Sequence, residues 1–165
     1  MSAQEIAFVI LAGVGSLGAF RLVTSQNVVH AALYLVVTLA MVGAVYLLVA
    51  AEFLAWVQVL IYVGAIVVLL LFSLMLTKAP IGRETLDNQQ RSLAAFAGVG
   101  VLAGLVFLIQ DAFGGKPPIR LQPSTTAQVG ATLFRSFVLP FEVVSVLLLA
   151  ALVGAVVIAR KDEAE

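Results

Sequence analysis

Cysteine is absent from this 165-residue sequence, and histidine occurs once, at His30. The chain can therefore build no disulfide, no iron–sulfur cluster and no thiolate zinc site, and one imidazole with no carboxylate nearby makes no metal site. A Ser–His–Asp assembly is equally out of reach with a single histidine near the edge of an apolar run. Charge is scarce as well: Asp, Glu, Lys and Arg make up 11% of the chain, against about 25% in an average soluble domain. Nine basic residues balance nine acidic ones. This leaves no basic footprint for nucleic acid and no acidic tail for a cationic partner.

Apolar side chains fill the space that charge leaves. They account for 62% of the residues, against roughly 45–50% in soluble proteins, and a soluble core of this length could not hide them. A bilayer core of roughly 30 Å needs about 20 apolar residues per helix, at about 1.5 Å of rise each. Runs at 5–22, 28–49, 53–77, 92–110 and 137–159 meet that requirement. They predict an all-α integral membrane protein, a bundle of five transmembrane helices in the lipid bilayer. Residues 1–165 read as one membrane domain, with loops over 78–91 and 111–136. The first run is short and rich in small residues, but no Lys or Arg precedes it, so it reads as a retained helix and not as a secretory signal.

Charged residues fall almost entirely between the runs, and only Glu142 lies well inside one. The 78–91 segment is polar, with Pro80 and Gly82, and suits a short surface connection. The second loop carries Gly114-Gly115, Pro117-Pro118, Pro123 and Ser124-Thr125-Thr126, all turn chemistry, and reads as an ordered surface loop or short linker. Pro140 suits the first turn of a helix, so the last span is expected to begin near Leu139. With the N-terminus outside, the inner segments hold Arg21, Lys78, Arg83, Arg91, Arg160 and Lys161, and the outer ones hold Lys116, Arg120 and Arg135. The excess predicts an outside N-terminus and a cytoplasmic C-terminus.

Several patterns invite sharper readings. Gly13-Val14-Gly15-Ser16-Leu17-Gly18 spells GxGxxG, but the dinucleotide motif works only between a strand and a helix N-terminus, and this one lies inside an apolar helix. Its small residues read as a surface where two helices approach closely, and Gly98, Gly100 and Gly104 read the same way. His30 reads as a polar edge residue and Glu52 as a solvated turn residue. Glu142 stays open: a carboxyl in a membrane helix is a functional candidate by default, yet the first turns of a helix favour negative charge. In the third run, Gln58 and Tyr62 lie four residues apart and share a face in an α-helix. Gly64-Ala65 follows at once, a thin point that suits close packing, a bulge or a kink.

The run from Trp56 to Phe72, with Tyr62-Val63-Gly64-Ala65 at its centre, resembles the third-helix signature of subunit J of proton-pumping NADH:quinone oxidoreductase, respiratory complex I. Its mitochondrial counterpart is NADH dehydrogenase subunit 6. Asn27 to Leu35 is similar to the opening of that family's second helix, and Glu142 to Gly154 to its last. The resemblance implies a non-catalytic subunit of the membrane arm in a bacterial plasma (inner) membrane, packed against subunits A, H, K and N. It implies no cofactor in this chain, with FMN, iron–sulfur clusters and quinone held by other subunits, so the chain is part of an enzyme without an active site of its own. It further implies a π-bulge in the third helix around Tyr62, Gly64 and Ala65, whose rewinding opens or closes a hydrated proton route. Gln58 and Glu142 are the polar candidates for that route; some relatives carry Glu at the position of Gln58, and an amide cannot titrate. Two other classes compete: the equivalent small subunit of a related antiporter or membrane-bound hydrogenase complex, and an independent small transporter. The second of these often shows an internal repeat, and the two halves here show none.

Overall fold

Residues 2–77, 90–115 and 123–160 are described by a computed structural model. Their regular structure is helical apart from one isolated parallel bridge between Ala51 and Ser124. The helices are α1 (Ala3–Thr24), α2 (Val28–Leu48), α3 (Glu52–Leu76), α4 (Arg91–Phe113), α5 (Thr126–Ser136) and α6 (Val138–Ala159). All except α5 are long and apolar enough to cross a membrane, which makes five spans.

Local chemistry sets the helix ends. Ser2 and Glu5 form a reciprocal capping box at the start of α1, with Glu5 N donating to Ser2 Oγ at 3.3 Å and Ser2 N donating to Glu5 Oε2 at 3.0 Å. Asn27 caps α2, its Oδ1 accepting from Val29 N at 2.9 Å and His30 N at 3.4 Å. His30 is thus an exposed first-turn residue. Between α2 and α3 the chain turns tightly. Ala51 N donates to Tyr46 O at 2.9 Å and Ala50 N to Leu47 O at 3.0 Å, a Schellman pattern in which Ala50 takes the left-handed position at φ 59°. Glu52 follows as the first residue of α3, exposed and next to the positive end of the helix.

Helices α1 and α2 run antiparallel and pack through the GxGxxG segment. A Cβ on Gly15 would lie 3.2 Å from Met41 Cβ, and one on Gly18 would lie 2.8 Å from Thr38 Oγ1. Gly18 therefore lets the backbone of α1 approach α2. Gly18→Val is expected to reduce the assembled protein in the membrane several-fold, because overpacking costs typically about 1–3 kcal/mol. Gly13 faces open space, so Gly13→Val should leave the amount unchanged; quantitative immunoblotting of membranes checks both.

Helix α3 packs along α2 with Ala32, Gly43, Ala55, Gln58 and Val67 buried between elements. Among the described residues α4 touches no other helix, and nothing lies within 4 Å of a Cβ on Gly98, Gly100 or Gly104. Against the expectation, no helix packs closely at those glycines among the described residues. Among the described residues the one helix that α6 touches is α5.

The stretch 111–136, expected to be loop, is helical over most of its described length. Helix α4 continues to Phe113, and α5 occupies Thr126–Ser136. The physical reason is a second capping box: Gln128 N donates to Thr125 Oγ1 at 3.4 Å and Thr125 N to Gln128 Oε1 at 3.1 Å. Thr125-Thr126-Ala127-Gln128 therefore starts a helix. Pro140 is the third residue of α6, which begins at Val138, one position before the expected start. The connection expected over 78–91 falls, for residues 78–89, outside the described residues.

One end of the molecule gathers several chain segments. Gln4 Nε2 donates to Leu48 O at 2.9 Å, joining the start of α1 to the end of α2. Ser124 N donates to Ala50 O at 3.4 Å, which brings the approach to α5 beside the start of α3.

Candidate functional site

The middle of α3 is wound differently from its ends. Gln58–Val67 is π-helical over 10 residues, with α-helix before it from Glu52 and after it to Leu76. A π turn closes its hydrogen bonds five residues apart, so it admits one more residue than an α turn.

The extra residue changes which side chains face α2. The inward row of α3 runs through Ala55, Gln58, Val63, Val67, Leu71 and Leu74. Its step from Gln58 to Val63 is five residues, where an α-helix would step by three or four. Tyr62, four residues beyond Gln58, is 46% exposed, while Gln58 is 7% exposed. The shared face expected for this pair is therefore not present: the π winding turns Tyr62 outward and puts Val63 in its place.

Gln58 is held by α2. Its Nε2 donates to Leu39 O at 3.4 Å, and a Cβ on Gly43 would lie 3.5 Å from Gln58 Cγ and 3.3 Å from Val59 Cγ2. Gly43 makes the room in which the amide is buried. Neither Leu39 nor Gly43 stood out in the sequence, although a lone glycine in the second apolar run was a usable signal.

Tyr62, Gly64 and Ala65 are each exposed in the π segment. A Cβ on Gly64 would meet one atom within 4 Å, Val59 O at 3.3 Å, in the same helix five residues back. Among the described residues no other helix lies within 4 Å of that Cβ, so its one close contact is with the π turn itself.

Glu142 is exposed near the start of α6, a helix that among the described residues touches α5 and not α3. Ser145 Oγ donates to its backbone carbonyl at 2.8 Å, and its carboxylate has no partner among the described residues. The structure does not bring Glu142 and Gln58 together. Among the described residues no group of three His, Asp or Glu could hold a metal ion. The centre of α3 offers a neutral amide and a phenol on a π-wound backbone, groups that suit hydrogen bonding more than acid–base chemistry.

The sequence profile described as NADH-ubiquinone/plastoquinone oxidoreductase chain 6 matches residues 18–158, a stretch that contains the whole π segment. The chain belongs to this family. Within the chain 6 family it is 40% identical over 166 residues to the NAD(P)H-quinone oxidoreductase subunit 6 of the Paulinella chromatophora chromatophore, covering 96% of this chain and 79% of the relative. It is 37% identical to the NAD(P)H-quinone oxidoreductase chain 6 of Leptolyngbya boryana, over 96% and 81% of the two chains. It is also 38% identical to the F(420)H(2) dehydrogenase subunit J of Methanosarcina mazei, over 96% and 92%. The likeness seen first in the third apolar run thus extends along almost the whole chain, as expected of a chain 6 protein.

Proposed function

We propose that this chain is a membrane-arm subunit of a proton-pumping NADH:quinone oxidoreductase and helps couple quinone reduction to proton translocation through α3. The observation that supports the reading most directly is the π winding of Gln58–Val67 in the middle of a membrane span of a chain 6 family member. Returning the segment to α winding removes one residue from the register, which turns the helix by about 100°. Tyr62 and Ile66 would then take the inward positions after Gln58 where Val63 and Val67 now lie. A polar phenol next to a buried amide can carry a water chain; two valines there keep it dry. The switch needs no titratable group, which fits an amide at position 58.

Flavin, iron–sulfur clusters and quinone belong to other subunits in this reading, and subunits A, H, K and N are the proposed neighbours. The faces of α4 and α6 that this chain leaves open are surfaces such neighbours and lipid would cover. A second reading keeps the membrane subunit and changes the electron donor, and the Methanosarcina mazei relative named for F(420)H(2) favours it. Mild detergent extraction of the tagged chain, followed by mass spectrometry, tests both. Co-purifying flavin and iron–sulfur subunits with an NADH-binding module support the first reading, a different donor module supports the second, and a homo-oligomer refutes both.

The proposed location is the bacterial plasma membrane with the N-terminus outside. Reporter fusions after Arg91 and after Lys161 are expected to report the cytoplasm, and a fusion within 114–122 the outside. Opposite sides for Arg91 and Lys161 would sink this topology.

A further inference from the structure

Helix α5 is not used by the proposed coupling, yet its sequence is sharply two-sided. On a helical projection Gln128, Thr132, Arg135 and Ser136 form one polar arc, and Val129, Gly130, Leu133, Phe134, Ala127 and Ala131 form the other, which is apolar except for Thr126 in the first turn. Only part of the apolar arc is covered: Val129, Gly130 and Leu133 are half-buried, α5 packs against the start of α3, and Ala127, Ala131 and Phe134 stay exposed. Phe134 is 63% exposed despite an edge-on contact with Phe141 at 5.0 Å between ring centroids.

Both ends of α5 are tied to the ends of membrane spans. Ser124 N donates to Ala50 O in the α2–α3 turn. At the other end a single residue, Phe137, separates α5 from the span α6, and the contact with Phe141 fixes Phe134 level with the first turn of that span. A helix of 11 residues is roughly 16 Å long, so it has no freedom to leave the level at which the spans begin. That level is the boundary between headgroups and acyl chains, where an amphipathic helix lies with its apolar face down.

We propose that α5 is an interfacial helix that docks on the lipid bilayer, with Ala127, Ala131 and Phe134 against the acyl boundary and Thr132 and Arg135 toward water and phosphate. It thereby fixes the start of α3, six residues ahead of the π segment, to the membrane surface. The inference rests on the spans crossing a membrane and not on the redox partner, so it stands or falls separately from the electron-transfer reading.

The absence of native cysteine makes the test direct. Thr132→Cys, Ala131→Cys and Phe134→Cys are made singly in the tagged chain of the intact complex. In sealed membranes with the proposed outer face exposed, a membrane-impermeant polyethylene-glycol maleimide shifts the tagged band. Thr132 and Phe134 are both exposed in the chain alone, so a helix in water would label at both. The proposal expects Thr132→Cys to react at least tenfold faster than Ala131→Cys or Phe134→Cys, and the difference to vanish after denaturation. Equal labelling of the two arcs overturns it. A benzophenone maleimide, attached at Phe134→Cys after detergent solubilisation and then returned to lipid, separates lipid from protein cover. Lipid adducts on the tagged peptide support the proposal, whereas a discrete cross-link to another polypeptide overturns it. Ala131→Cys leaves the Phe134–Phe141 contact intact, so agreement between the two positions excludes a local folding defect.

Discussion

Deleting this chain is expected to abolish quinone-linked proton pumping while leaving donor oxidation by the detached peripheral arm intact. The reason is the division of labour that the chemistry imposes. The chain has no cysteine, and no metal-capable cluster among the described residues, and the proposed reading assigns electron carriage to other subunits. What it supplies is apolar: five spans, two of which make no helix contact with the packed α1–α3 unit. Removing that many faces at once leaves neighbouring subunits with uncovered surface, and the membrane arm should fail to assemble or to couple. The measurement pairs pumping in membrane vesicles with oxidation of NADH by the arm using a water-soluble artificial acceptor. Pumping should fall to background, and acceptor activity per flavin should stay within about twofold of the unmodified enzyme, the tenfold that 1.4 kcal/mol represents being far outside that range. Loss of acceptor activity in an intact detached arm would mean that the chain takes part in electron entry.

The spans were legible because their signal is long and redundant. Each needs about 20 apolar residues, and no single substitution hides such a run. Short elements are written in fewer residues: α5 announces itself only by Thr125 and Gln128 and by Val129 and Leu133 four apart, and the Pro and Gly residues before it dominate a reading based on turn chemistry. The π segment is a different problem. Periodicity assumes a fixed number of residues per turn, so Gln58 and Tyr62 look like neighbours, and only the backbone reveals that the inward row skips to Val63. Gly43 shows a third limit: it makes room for a side chain on another helix, and no pattern within one segment states which neighbour that is. The GxGxxG segment was settled by context, since a motif of phosphate-binding loops has nothing to bind inside an apolar helix.

The sharpest test of α3 is Gly64→Val, expected to leave the amount of assembled complex normal while slowing quinone reduction and weakening pumping together. A Cβ at this position lies 3.3 Å from Val59 O, closer than ordinary contact, and the two γ-methyls of valine add bulk with a restricted χ1. Because the close atom is backbone five residues back, the crowding falls on the π turn itself and changes with its winding. Overpacking of this kind costs typically about 1–3 kcal/mol; placed on the rewinding step proposed for the helix, it is expected to slow turnover roughly five- to a hundredfold. Gly64→Ala adds the Cβ alone and should fall between the parent and the valine variant. The same change at Gly13, which faces open space, should leave turnover unaltered. Blue-native gels report assembly, and quinone reduction with vesicle acidification reports the rate and the coupling. If the valine variant fails to assemble, Gly64 serves close packing against another chain, since no other helix among the described residues lies within 4 Å of a Cβ there. Full pumping at normal abundance would remove Gly64 from the proposed mechanism, because that mechanism requires the turn to rewind past the β-branched intrusion, which has to appear in the rate.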